Sequence, residues 1–208
     1  MSLLDNFVNE CDIGLKTLSF KKNGTGRSYP SNEIPLNLSK EEKILSAQLM
    51  RVNLAGEVAA QALYRGQAMV CKDAETKAHL VQAGEEETDH LIWCKKRLEG
   101  LNGTPSLLNP VWYAGSFAIG AIFGSFGKKT SLGFVEETEK QVVKHLEKHL
   151  DRISKNDTET IEILKTMRAD EDEHAQEASE NGGEPLSEPT KKIMSLTAKV
   201  MTSSSAYI

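Results

Sequence analysis

The chain has 208 residues, 39% of them hydrophobic and 26% charged, enough for one domain with its own core and short appendages. Its formal net charge of −5 leaves no basic footprint, which excludes nucleic acid as an expected partner. Cys11, Cys71 and Cys94 are far apart and odd in number, which excludes a disulfide framework and a zinc spacing, and the acids in MSLLDNFVNECDIGL exclude a secretory signal, so the expected location is inside the cell.

Leu3, Leu4, Phe7, Val8, Cys11, Leu15 and Leu18 recur at helical spacing and predict an amphipathic helix over 3–18. A polar linker with Gly24, Gly26, Pro30 and Pro35 follows, so residues 1–38 read as helix plus linker. Ser39 with Glu42 three residues later is a capping box, and it opens a helix running to about Cys71. A second helix is expected from about Asp73 to Glu99, and Asn102-Gly103-Thr104-Pro105 breaks the chain. Residues 107–127 carry no charge and include Trp112, Tyr113, Phe117, Ile119, Ile122, Phe123 and Phe126. Helical pattern resumes from Ser131 to about Ser154, stops at Lys155-Asn156-Asp157, and resumes from Thr158 to about Glu180. Asn181-Gly182-Gly183 ends it in the manner of a glycine C-cap. A shorter segment over 187–202 closes the chain, within a tail spanning 183–208. No segment reads as a strand, and the expected fold class is all-α.

Glu87-Thr-Asp-His90 and Glu171-Asp-Glu-His174 share one arrangement. Helical residues three apart lie on one face, so each segment can present a carboxylate and an imidazole to one metal site. Ferritin-like di-metal bundles draw one Glu from each of two helices and a Glu-x-x-His from each of the other two. The single glutamates are therefore expected one helix upstream, and Glu57 and Glu136 stand 30 and 35 residues before the motifs.

Antiparallel neighbours bring ligands to one height only if the turn falls midway between them. The midpoint of 57 and 87 is residue 72, at Cys71-Lys72-Asp73, and that of 136 and 171 falls at 153–154, just before Lys155-Asn156-Asp157. Each arm is then ~15 residues, or ~22 Å at the helical rise. Glu57 is also the only acid between Glu42 and Asp73, among Leu54, Ala55, Ala59 and Ala60, where a lone buried carboxylate is costly unless ligated or paired. The metal set so derived is Glu57, Glu87, His90, Glu136, Glu171 and His174. Carboxylates and imidazoles suit iron or manganese, and this donor set does not choose between them. Glu86, Asp89, Asp170 and Glu173 are within helical reach to orient the imidazoles. No catalytic residue beyond the metal ligands is singled out. His145 and His149 lack a matching half-site and read as surface or interhelix residues.

MRVNLAGEVAAQALYRGQA at 50–68, EEETDHLIWCKKRL at 85–98 and RADEDEHAQEA at 168–178 resemble the demethoxyubiquinol hydroxylases of ubiquinone biosynthesis. NPVWYAGSFAIGAIFGSFG at 109–127 and GFVEETEKQVVKHLEKHL at 133–150 are similar to that family too, so the likeness covers about residues 39–182. It implies a ferritin-like four-helix bundle with an apolar crossover helix and short terminal helices. It also implies two iron ions per chain on the six residues above, and hydroxylation of a 2-polyprenyl-3-methyl-6-methoxy-1,4-benzoquinol with O2. One departure is plain: where some members carry a His-Tyr pair six and seven residues after the fourth-helix ligand, this chain has Val142 and Val143.

The uncharged run is marginal as a transmembrane helix, since it contains Pro110, glycines and serines. It admits a buried core helix or a helix at the membrane surface with Trp112 and Tyr113 at headgroup level. Because a polyprenyl substrate partitions into lipid, the resemblance favours peripheral association at the cytoplasmic face of the cell membrane. Gly120-x-x-x-Gly124 allows close helix approach but is weak as a dimerisation motif. The expected partners are the benzoquinol, O2, a membrane surface, and either further copies of the chain or other ubiquinone-biosynthesis proteins. The rival readings are a ferritin-like iron-storage or iron-oxidising protein, for which the uncharged run has no use, and a metal-free helical structural protein.

Overall fold

The computed structural model describes residues 3–31 and 38–208. Pro35 of the linker, and the side chains of Leu3, Leu4 and Phe7, lie outside the described set. The described residues form seven helices and no strand: α1 (Leu3–Leu18), α2 (Lys40–Val70), α3 (Ala74–Gly100), α4 (Asn109–Ser125), α5 (Lys128–Arg152), α6 (Thr158–Glu180) and α7 (Glu188–Ser205).

The boundaries have local causes. Ser39 Oγ accepts from the Glu42 amide at 3.1 Å while the Glu42 carboxylate accepts from the Ser39 amide at 2.7 Å, completing the capping box. Asp73 and Asp157 cap α3 and α6 by accepting from the amides of Thr76 and Thr160. Gly182, at φ +99°, ends α6 in a backbone conformation that a side chain rarely adopts.

Short turns fold α2 onto α3 and α5 onto α6. The two hairpins share one buried apolar cluster built from Met50, Leu54 and Val58 of α2, Leu91 and Leu98 of α3, Leu146 of α5, and Ile163, Leu164 and Met167 of α6. Each such side chain stabilises the fold by roughly 1.5–3 kcal/mol relative to exposure. At one end of the bundle the buried Arg97 donates to Asp157, Glu159 and Thr160 at 2.6–2.8 Å, and Ser46 donates to Asp157 at 2.5 Å. That network joins α2 and α3 to the start of α6. Towards the other end, Gln67 of α2 donates to Ser131 of α5. The middle of the bundle, where the Glu-x-x-His motifs lie, is therefore fixed from both sides.

The crossover α4 runs along the outside of α2. A Cβ at Gly66 would stand 2.1 Å from Phe117 O, and one at Gly120 would stand 2.2 Å from Leu63 O, so these glycines are required for the approach. Gly120 and Gly124 thus serve packing within the chain. The opposite side of α4 is open, with Val111, Ile122 and Phe126 more than half exposed. The uncharged run is therefore a two-sided surface helix, neither buried all round nor a span. Among the described residues no helix is long and apolar enough to cross a membrane. α1 packs on α2 and α4, and α7 packs on α2 and α5.

Candidate metal centre

Glu57 comes from the middle of α2, Glu87 and His90 from α3, and Glu171 and His174 from α6, and all five are buried. Glu57, Glu87, His90 and Glu171 each place a ligand atom within 4.8 Å of the others. His90 Nδ1 lies 3.0 Å from Glu87 Oε2, 3.2 Å from Glu171 Oε1 and 3.9 Å from Glu57 Oε2. His174 Nδ1 lies 3.1 Å from Glu87 Oε1 and 3.4 Å from Glu171 Oε2. Glu87 and Glu171 therefore each turn one oxygen to one imidazole and the second oxygen to the other. Carboxylates placed so can lie between two cations.

The far sides of the imidazoles are anchored reciprocally. His90 Nε2 is 2.8 Å from Asp170 Oδ2, and His174 Nε2 is 3.0 Å from Glu86 Oε2. Each anchor immediately precedes the glutamate of the opposite motif. Of the four acids within helical reach, the structure selects Glu86 and Asp170; Asp89 instead accepts from Thr25, and Glu173 is exposed.

The electrostatics of this cluster are dominated by burial and like charge. Burial, then the Glu87 and Glu171 carboxylates, hold Glu57 well above the usual carboxylate range. Burial opposes ionisation of Glu87 as well, but His90 and His174 outweigh it and hold that carboxyl below its ordinary value. Burial lowers both histidines, yet the carboxylates more than offset it, raising His90 strongly and His174 to about 12. Glu87 Oε1, Glu171 Oε2 and His174 Nδ1 are buried and face one another at 3.1–3.4 Å without the geometry of a hydrogen bond. Buried polar atoms are ordinarily satisfied. Three unsatisfied donor atoms gathered between two carboxylates and an imidazole fit a bound cation, which would take those lone pairs and offset the buried negative charge.

Glu136 does not join the other five. It is drawn toward the exposed Lys140, one turn further along α5, whose ammonium donates to Glu136 Oε1. Glu136 Oε2 is buried without a partner among the described residues. Glu139, three residues on, faces the cluster instead. It is 2% exposed, accepts from the Tyr64 hydroxyl at 2.7 Å, and is held well above the carboxylate range by burial and then by Glu171 and Glu87, with His174 opposing. Glu139 and Tyr64 were not among the residues that spacing singled out. A signal was present: the midpoint of 139 and 171 is residue 155, inside the Lys155-Asn156-Asp157 turn itself. The rings of His145 and His149 meet edge to face on α5 with centroids 4.0 Å apart, and Val142 packs against the core.

The sequence profile of the family described as Ubiquinone biosynthesis protein COQ7 matches residues 44–205. A 3-demethoxyubiquinol 3-hydroxylase of Francisella philomiragia subsp. philomiragia is 50% identical over 202 residues, covering 97% of this chain and 96% of that protein. The protein of the same name from Francisella tularensis subsp. novicida matches at the same identity and coverage. Among solved structures, a dodecameric thioferritin, the bacterioferritin-related protein from Bacteroides fragilis, aligns with a TM-score of 0.56 at 19% identity, covering 77% of this chain and 97% of that one. That likeness establishes the ferritin-like fold.

Proposed function

Because the chain belongs to the COQ7 family of ubiquinone biosynthesis proteins, we propose that it is a 3-demethoxyubiquinol 3-hydroxylase. It acts as a monooxygenase, adding a hydroxyl to the ring of a 2-polyprenyl-3-methyl-6-methoxy-1,4-benzoquinol at the expense of O2. The observation that carries this reading is the buried convergence of Glu57, Glu87, His90, Glu171 and His174 in a chain half identical to enzymes of that name.

Two iron ions fit this donor set, held by Glu57, Glu87, His90, Glu139, Glu171 and His174, with Glu139 taking the place that spacing alone gave to Glu136. When bound, they would activate O2 and relay the two electrons, drawn from a reductant outside this chain, that reduce its second oxygen atom to water as the first enters the ring. The protein's own contribution is positional. Glu87 and Glu171 span the two imidazoles, Asp170 and Glu86 fix the ring orientations, and Tyr64 holds the Glu139 carboxyl by a hydrogen bond. Burial of Glu87, Glu171, Tyr64 and Glu139 keeps bulk water from the donor atoms.

The substrate's polyprenyl tail places the reaction at a lipid surface. The open, uncharged side of α4, with Val111, Ile122 and Phe126, supports peripheral association at the cytoplasmic face of the cell membrane. The iron-storage reading has the fold in its favour and nothing in the outer face of α4. Quinone profiling of a strain lacking the gene tests the assignment. The demethoxy precursor should accumulate, and wild type or Glu136→Ala should restore ubiquinone while Glu139→Ala or Glu171→Ala should not. A normal quinone pool in the deletion strain would contradict the activity; rescue by Glu139→Ala but not Glu136→Ala would contradict the ligand set.

A further inference from the structure

The segment between α1 and α2 reaches the metal centre from outside the bundle. Arg27 grips Asp170 with both arms of its guanidinium, Nη2 donating to Oδ1 at 3.0 Å and Nη1 standing 2.8 Å from Oδ2. The same guanidinium lies over the Trp93 ring, 5.0 Å from its centroid. Asp170 Oδ2 is the atom that meets His90 Nε2 at 2.8 Å. A carboxylate fixed in this way holds an N–H on Nε2, so that Nδ1, the nitrogen turned to Glu87, Glu171 and Glu57, is the one left to take a metal.

A second tether lies beside the first. The Thr25 amide donates to Asp89 Oδ1 at 3.0 Å and its hydroxyl donates to Oδ2, and Asp89 is the residue before His90. Gly24 permits the approach, because a Cβ there would stand 2.0 Å from Asp89 Oδ1. Among the described residues His174 has no equivalent. Its anchor Glu86 is 33% exposed, against 17% for Asp170, and its other oxygen accepts from Gln82 one turn back on the same helix.

We propose that Arg27 is a positioning residue for His90, acting through Asp170, and that this strap makes the two histidine half-sites unequal, so that metal at His90 is retained longer than metal at His174. The proposal rests on the two-iron reading above. A bidentate guanidinium–carboxylate pair is among the strongest and most directional of charge-assisted contacts. Loss of an outer partner of a metal-bound histidine ordinarily costs 10–100-fold in metal affinity. Arg27 is 39% exposed, so solvent screening puts the expected effect near the lower bound.

The test is iron loss from the full-length protein, loaded anaerobically with ferrous iron and mixed with excess ferrous chelator. Wild type should release iron in two phases of equal amplitude. R27A should speed the slow phase about tenfold and leave the fast phase unchanged, while R27K, which keeps the charge but lacks the fork, should fall between. E86Q should speed the fast phase alone. Melting of the iron-free proteins separates positioning from support, and R27A and R27K should melt within a few degrees of wild type. Two irons retained by R27A with wild-type rates would overturn the proposal, as would equal acceleration of both phases with a matching loss of iron-free stability. If R27A does not fold, a wild-type slow phase in R27K overturns it equally. A wild type holding less than about one iron would instead sink the two-iron reading on which the proposal stands.

Discussion

All five histidines are buried or half-buried, and the surroundings of four of them divide into two opposite classes. His90 and His174 sit among carboxylates that raise them against the effect of burial. His145 and His149 are lowered, to about 4 and about 2, first by burial and then by cationic neighbours: Lys148 and Arg152 for His145, and His145 and Arg152 for His149. Each ring has a buried nitrogen without a hydrogen-bond partner among the described residues. Below the ordinary value of 6.5 the unfolded chain binds protons that the folded one does not. The neutral pair therefore contributes its full share above about pH 6.5, and that share is lost as pH falls towards 4. Denaturation midpoints across this interval should fall less steeply for His149→Leu than for wild type, by up to about 2 kcal/mol at pH 5. Parallel curves would show that the pair is not buried neutral. At this scale the site was mostly legible in the sequence, because Glu-x-x-His spacing on helices and the placement of turns both constrain ligand height. The sixth position, Glu136 by spacing and Glu139 in our proposal, is the one that spacing does not decide, because residues three apart share a helix face only approximately and a midpoint test accepts either. What separates them is lateral: Lys140 draws Glu136 outward, and Tyr64 holds Glu139 inward.

Among the elements, α4 is the one whose placement composition could not decide. An uncharged run carries no polar stripe to mark its open side, so a core helix and a surface helix read alike. Its seat is set by backbone approach at Gly66, Gly120 and Gly124, which no hydrophobic periodicity reveals. Gly120→Leu should force α4 off α2 and cost about 1–3 kcal/mol in denaturant unfolding, with no change in particle size by scattering. A change in oligomeric state at unchanged stability would show instead that Gly120 serves an interface between chains. The other helices were readable from their ends, because Ser39–Glu42, Asp73, Asp157 and Gly182 are chemical stops and starts that act locally.

For the whole molecule, the design is two hairpins locked together at their ends, with unsatisfied carboxylates and imidazoles confined between them. Arg97 with Asp157 and Ser46 closes one end, and Gln67 with Ser131 joins the hairpins towards the other. The strap over α3 and α6 and the crossover on α2 then cover opposite flanks, one serving the centre and the other facing outward. None of these long-range ties is visible in sequence, since each depends on which hairpin faces meet. The central claim is that the buried cluster holds two irons and that Glu139 completes it. Iron per chain after anaerobic loading and desalting measures this directly. Wild type and Glu136→Gln should hold about two irons and Glu139→Gln about one or fewer; a wild type with less than one, or a loss confined to Glu136→Gln, would contradict the account.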